Sequence, residues 1–302
     1  MNVINTKSKM LIRAARPFSL TGSVIPVTLG AMLAIHQSKF SIVYFIFSVI
    51  GIILLQASIN LLNDHDDFIN KVDTKDSYCS SGVVVEGLIT ANEVKKAGII
   101  ALVLGCIVGL LLGYFRGSMI LIIGLVGAIC GYFYTGKPLA LKYRGLGAPL
   151  VFVIFGPLMT LGSYYVQAQE LGLKPLLISI PVGLLTTAIL HANDIRDIRN
   201  DSKAGIKTLS IVVGRKNADR IYISLIVFAY ISIPLISFYN YIPYLSLICL
   251  LTIPKAAKNI KKLTSSNNEN KIIADLDKET AKLQSQFGVL LILSMLVSIA
   301  IL

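Results

Sequence analysis

Asn60-Leu-Leu-Asn-Asp-His-Asp-Asp-Phe-Ile-Asn-Lys-Val-Asp73 closes an apolar run that begins near residue 41. It sets two motif asparagines, Asn60 and Asn63, and the aspartates Asp64, Asp66, Asp67 and Asp73 at the end of a hydrocarbon-like segment. Carboxylates are costly beside hydrocarbon, so acids at the end of a membrane span mark a functional site. A second stretch, Asn193-Asp-Ile-Arg-Asp-Ile-Arg-Asn-Asp201, repeats the Asn-Asp-x-x-Asp signature 130 positions on, from Asn63 to Asn193. Within each stretch the polar residues recur four apart: Asn60 with Asp64, Asn63 with Asp67, and Asn193 with Asp197 and Asp201. On a helix each set shares one face.

The surrounding chain is that of a multi-pass membrane protein. Of its 302 residues 55% are hydrophobic and 15% charged, against about 25% charged in ordinary soluble domains. The whole of 1–302 reads as a single transmembrane domain, an all-α bundle. Cys79, Cys106, Cys130 and Cys249 have neither metal-ligand nor disulfide-framework spacing, and His36, His65 and His191 form no ligand set.

Outward from the motif, apolar runs at Phe18–Ile35, 41–63, 94–115, 118–134, 148–166, 173–192, 221–238, 241–254 and 287–302 predict about nine spans. With the N-terminus in the cytoplasm and the C-terminus outside, 25 of the 28 Lys and Arg residues fall on the inner side, leaving Lys39, Arg116 and Lys174 outside. That asymmetry follows the positive-inside rule. It accounts for the net charge of +12 without a nucleic-acid partner. It also puts both aspartate stretches on the cytoplasmic face, as motif loops after spans two and six. The helices carrying them run in the same direction, unlike the inverted repeats of many transporters. The stripe Ile272, Ile273, Leu276, Leu283 and Phe287, with lysines on the other face, predicts an amphipathic helix, either along the inner membrane surface or as a solvated lead-in to the last span.

Two carboxylate faces meeting at a cavity suit Mg2+, which takes oxygen ligands and is usually completed by substrate phosphates. Without a cation so many aspartates would repel a diphosphate. The basic loops around Lys137, Lys142 and Arg144, and around Lys203 and Lys207, can supply further cations to phosphate oxygens. A calcium loop starting at Asp64 would need Gly and Glu where Ile69 and Lys75 stand. No phosphate-binding loop, dinucleotide fingerprint or nucleophile elbow is present. A diphosphate handled inside an apolar protein implies a lipid diphosphate. Metal-assisted departure of its diphosphate leaves an allylic cation, which an apolar chamber keeps from water and the π faces of Tyr132, Tyr134, Tyr164 and Tyr165 can stabilise.

At these residues the chain resembles the intramembrane aromatic prenyltransferases of the UbiA superfamily, most of all the dihydroxynaphthoate polyprenyltransferases of menaquinone biosynthesis. The resemblance runs through Arg16-Pro-Phe-Ser-Leu20, Pro26-Val-Thr-Leu-Gly30, both aspartate motifs with Asp73, Tyr134-Thr-Gly136, Leu141-Lys-Tyr-Arg-Gly-Leu-Gly147, Gly162-Ser-Tyr-Tyr-Val-Gln167, Gly205-Ile-Lys-Thr-Leu209 and Gly214. It implies nine helices around a central cavity in the cell membrane. It implies Mg2+ held by Asn63, Asp64, Asp67 and Asp73 and by Asn193, Asp194, Asp197 and Asp201. Lys142, Lys137, Arg16, Tyr134 and Lys207 would bind the diphosphate, and Asp67, Asp197 and Lys142 would carry the catalysis. The implied substrates are a polyprenyl diphosphate and an aromatic acceptor, 1,4-dihydroxy-2-naphthoate, whose attack is coupled to loss of CO2. The chain departs from the pattern at His65, where the family has Tyr, and at Ala148, where it has Glu or Asp. The segment Tyr78 to Gly87 lacks a family arginine.

Two other functions compete. A relative of the same superfamily would prenylate 4-hydroxybenzoate or a glycerol-phosphate lipid. A cation-coupled transporter would need acids inside its spans, yet 15 of the 16 Asp and Glu residues fall in the inner segments, Glu170 being the exception.

Overall fold

The computed structural model describes residues 3–73, 81–136, 138–266, 269 and 271–301. It is a helical bundle, without a named strand among the described residues. In chain order the helices are α1 (Val3–Ala14), α2 (Thr21–Leu33), α3 (Ile42–Ile69), α4 (Ala91–Arg116), α5 (Met119–Thr135), α6 (Gly147–Val153) and α7 (Met159–Ala168). They continue with α8 (Leu173–Lys203), α9 (Leu209–Val213), α10 (Arg215–Phe238), α11 (Ile253–Thr264) and α12 (Leu276–Ile301). A π-helical turn, Ile154–Leu158, joins α6 to α7 so that Gly147–Ala168 runs as one segment. Six helical segments are long and apolar enough to cross a membrane, and α2 and most of α5 are shorter apolar helices. Ile46, Phe47, Leu110, Leu125 and Phe228 lie on their exposed faces, the surface a lipid solvent demands.

Helix length explains where the polar motifs fall. At about 1.5 Å per residue α3 is roughly 42 Å long and α8 roughly 46 Å, while a bilayer's hydrocarbon is about 30 Å thick. Both therefore run past the hydrocarbon, and the overhang carries the aspartates. Here the structure corrects the expectation of motif loops: Asn60 to Asp67 and Asn193 to Asp201 are helical, and of the expected ligands only Asp73 lies beyond a helix end. Continuing the helix keeps the backbone hydrogen-bonded while the side chains turn to one face.

Two further expectations are corrected. The run 241–254 forms a nine-residue 3-10 segment, Tyr244–Thr252, entered after Pro243 and leading into α11, with Pro254 in its first turn. Most of the 272–287 stripe does not lie on a surface, although Ile272 is exposed. Ile273, Leu276, Leu283 and Phe287 are wholly buried in the main core with residues of α8 and α10. The strongly amphipathic helix is instead α11, which buries Ala256, Asn259 and Leu263 and exposes Lys258 and Lys261.

Small residues set the spacing. A Cβ on Gly30 would meet the Thr160 carbonyl oxygen at 2.3 Å, so α2 and α7 touch through their backbones. Gly156, in the π turn, and Gly183, in α8, also face each other, a Cβ on either meeting the other's Cα at 3.1 and 3.0 Å. Such contacts replace the hydrophobic drive that is missing between helices in lipid. At the end away from the aspartates, Arg116 donates to the carbonyls of Val166 and Gln167, at 2.6 and 2.7 Å. Beside it, Glu170 accepts from Tyr164 and Gln37, at 2.6 and 2.8 Å, and pairs with Lys39 at 3.2 Å.

Candidate metal and diphosphate site

A cavity of about 200 Å3 opens between α3, α5, the α6–α7 segment, α8 and the start of α12. Its apolar wall includes Ile52, Leu55, Ile59, Ile154 and Phe155. Its polar lining is Arg16, Asn60, Asn63, Tyr134, Asn193 and Asp277, with Ser19, Gln56 and Thr186. One apolar chamber thus meets side chains from both aspartate motifs.

The first motif is built on the last turns of α3. Asp64 is buried and accepts hydrogen bonds from the Arg16 guanidinium and the Ser81 hydroxyl. Arg16 reaches it from a left-handed backbone, φ 54°, a conformation that persists only where its surroundings impose it. Asn60 supplies that constraint by donating to the Ala15 carbonyl at 2.8 Å and to the Ser19 hydroxyl at 3.1 Å. The chain then curls over the helix end, with the N–H groups of Val72 and Asp73 on the Asp67 carbonyl at 2.8 and 3.1 Å. Burial, then Asp67 and Asp64, push the Asp73 carboxyl up to about 7, the response of an acid crowded among like charges.

The second motif occupies the last turns of α8. Arg196, from within the motif, grips both Asp197 oxygens at 3.0 and 2.7 Å, the Asn193 amide oxygen, and Asp277 Oδ2 at 2.9 Å. Asp194 and Asp201 are buried. Asp194 Oδ1 has no hydrogen-bond partner among the described residues, an unusual and costly state for a carboxylate oxygen.

Lys142 links the two halves. It sits in a 3-10 turn, Leu141–Tyr143, between α5 and α6. Burial opposes its charge, but Asp67, with Asp194 among the further contributors, outweighs burial and holds the ammonium pKa above its ordinary value. Asp201 feels Lys142 and Asp67 as well as its own neighbour Asp197. The loops are also tied by backbone, through a parallel bridge between Arg144 and Lys207.

The expected site residues therefore divide. Asn63, Asn193, Arg16 and Tyr134 line the cavity, and Asp64, Asp67, Asp73, Asp194, Asp197, Asp201 and Lys142 cluster electrostatically at its motif end. Lys207 is exposed, its role here being the backbone bridge. Lys137 lies outside the described residues. Two partners escaped the sequence reading. Ser81 has no local signal. Asp277 had one: it is an acid four residues after Ile273, on the inward face of an otherwise apolar stripe.

The donors are carboxylates and amide oxygens, the ligand chemistry of a hard divalent cation, and the unpaired Asp194 oxygen fits such an occupant. Among the described residues no three acids or histidines converge on one point. Arg16 and Arg196 hold oxygens that an ion would take, so the arrangement fits Mg2+ in donor type and requires these arginines to yield.

Comparison with known proteins places the fold. The UbiA prenyltransferase family matches over residues 23–274. A 1,4-dihydroxy-2-naphthoate octaprenyltransferase of Bacillus subtilis (strain 168) is 30% identical over 291 residues, covering 96% of this chain and 93% of that one. The UbiA prenyltransferase domain-containing protein 1 of Dictyostelium discoideum is 33% identical, covering 95% and 87%. A UbiA homolog from Archaeoglobus fulgidus, solved bound to GPP and Mg2+, superposes with a TM-score of 0.64 at 15% identity, covering 94% of this chain and 99% of that one. With two aspartate-bearing helices meeting at an apolar cavity, and a family match that spans both motifs, the chain belongs to the UbiA prenyltransferase family.

Proposed function

We propose that this prenyltransferase moves a polyprenyl group from polyprenyl diphosphate to 1,4-dihydroxy-2-naphthoate, with loss of CO2, in a Mg2+-dependent reaction in the cell membrane. The N-terminus and both motif ends face the cytoplasm in this reading, and residues 1–302 act as one domain. The observation that carries it is the meeting of the α3 and α8 motif ends at one apolar cavity, with Lys142 between them.

Asn63, Asp64, Asp67 and Asp73 would hold the cation from one side, and Asn193, Asp194, Asp197 and Asp201 from the other. When bound, Mg2+ supplies Lewis-acid charge to the leaving diphosphate. Lys142 and Arg16 donate to the remaining phosphate oxygens. Ile52, Leu55, Ile59 and Phe155 surround the prenyl chain and exclude water while the allylic cation exists. Tyr134 offers its π face to that cation.

The test is an acceptor panel of dihydroxynaphthoate, 4-hydroxybenzoate and a glycerol-phosphate lipid, with long-chain polyprenyl diphosphate, with and without Mg2+. Mass spectrometry reads the product and its loss of CO2. Asp67→Ala and Asp197→Ala should abolish diphosphate release while the protein stays folded. Full activity in both variants sinks the metal assignment, and turnover of another acceptor alone sinks the naphthoate one.

A further inference from the structure

Asp277 belongs to neither aspartate motif, yet it is the one carboxylate among the described residues that line the cavity. The motif side chains that reach the lining are the amides Asn60, Asn63 and Asn193. Asp277 stands in the first turn of α12, 8% exposed. Its Oδ2 accepts from Arg196 at 2.9 Å and its Oδ1 from the backbone N–H of Lys278 at 2.8 Å. A carboxylate can accept about four hydrogen bonds, so each oxygen keeps capacity for another donor. Arg196 is itself held by Asn193, Asp197 and the Ala274 carbonyl, at 3.4 Å for the last. The acid is therefore fixed in place. An ion pair that only tied α12 to α8 would need no place in the cavity wall.

The cavity lining is sorted by charge. Arg16 and the nearby Lys142 suit an anionic diphosphate, and Asp277 repels one. What Asp277 accepts is a neutral O–H donor, the group an aromatic acceptor carries and a prenyl diphosphate lacks. We propose that Asp277 is an acceptor-binding residue whose carboxylate takes the hydrogen bond of the acceptor's ring hydroxyl. This rests on the prenyltransferase reading above. The hydrogen bond orients the ring and draws electron density toward the carbons that attack the prenyl cation. An acceptor that also carries a carboxylate must point it away from α12.

The test uses full-length protein in nanodiscs under argon, with Asp277→Asn and Asp277→Leu. In Asp277→Leu the KM for dihydroxynaphthoate should rise roughly tenfold or more, the loss of one charge-assisted hydrogen bond, while the polyprenyl diphosphate KM and the Mg2+ half-saturation stay within about twofold. Equilibrium dialysis of dihydroxynaphthoate alone, without Mg2+ or diphosphate, should weaken by the same factor. An acceptor with its hydroxyls methylated should bind wild type and Asp277→Leu equally. Asp277→Asn keeps an acceptor oxygen and should fall between them. If Asp277→Leu fails to fold, Arg196→Met with Asp277→Leu removes both charges and is read in the same dialysis.

Unchanged dihydroxynaphthoate binding overturns the proposal. So does a rise in the Mg2+ half-saturation or diphosphate KM without loss of acceptor affinity, which would make Asp277 merely the counter-ion of Arg196. A wild-type protein that binds dihydroxynaphthoate but releases no diphosphate overturns the prenyltransferase reading instead.

Discussion

Replacing Lys142 by Met removes the cation that faces both motifs while keeping most of its aliphatic bulk. The effect can be worked from its surroundings. The ammonium lies in the field of Asp67 and Asp194, and its pKa stands above the ordinary value despite burial. Such a raised group contributes stability that is fully present below its unfolded pKa, near 10.4, and is lost only as pH rises through the folded value. Across about pH 6 to 9 the side chain is therefore always charged, and the substitution removes one full charge at every assay pH. A charged hydrogen bond to a diphosphate oxygen is worth about 1.5–3 kcal/mol, which predicts a roughly 10- to 150-fold fall in kcat/KM for polyprenyl diphosphate. The fall should be flat across that pH range, and Lys142→Arg should recover part of it. The apo protein should also lose thermal stability, because Asp67 and Asp194 lose a shared counter-charge, and added Mg2+ should restore it. Diphosphate release at saturating acceptor is the assay. A loss below about threefold, or one confined to the acceptor KM, refutes the placement of Lys142 against the diphosphate.

Three other perturbations test the frame. Gly30→Ala drives a methyl group to 2.3 Å from the Thr160 carbonyl oxygen, and forced overpacking of this kind should cost about 1–3 kcal/mol, seen as a lower midpoint of thermal aggregation in detergent. Arg196→Met leaves the half-buried Asp197 and the buried Asp277 without their partner and should destabilise by about 3–5 kcal/mol, with Asp277→Leu restoring much of the loss in the double variant. Hydrogen bonds from Tyr164 first, then Gln37 and Lys39, hold Glu170 down to about 2. Because this pKa is depressed, the contribution is present above about pH 4.3, the unfolded value, and fades as pH falls toward the folded one. Thermal midpoints compared at about pH 7 and pH 3 should differ less in Glu170→Gln than in the wild type.

Much of this was legible along the chain because membrane solvation writes itself into sequence. Apolar runs gave α2 to α5, the α6–α7 segment, α8, α10 and α12, with ends that erred where helices outrun the bilayer, at Ile69 and Lys203. Four-residue spacing put the motif side chains on helical faces and did not reveal that the helices simply continue. The run 241–254 misled because hydropathy does not distinguish a 3-10 segment entered after Pro243 from an α-helix. The 272–287 stripe misled because an amphipathic pattern does not say whether its apolar face meets lipid or protein. Arg16 with Asp64 and Arg196 with Asp277 are contacts 48 and 81 positions apart. Nothing local in the sequence pairs residues over such separations.

The two guanidiniums bear on how the protein is made. A bare group of carboxylates at the end of membrane helices would resist assembly, each charge repelling the next as the chain packs. Arg16 on Asp64 and Arg196 on Asp197 let the newly inserted chain complete its bundle before any ion arrives. On the proposed metal assignment, loading the site is then an exchange of counter-ions rather than the charging of an empty cage. Metal affinity would accordingly be set against two arginines encoded in the chain, and a substitution at either would tighten metal binding while weakening the folding of the protein that binds it.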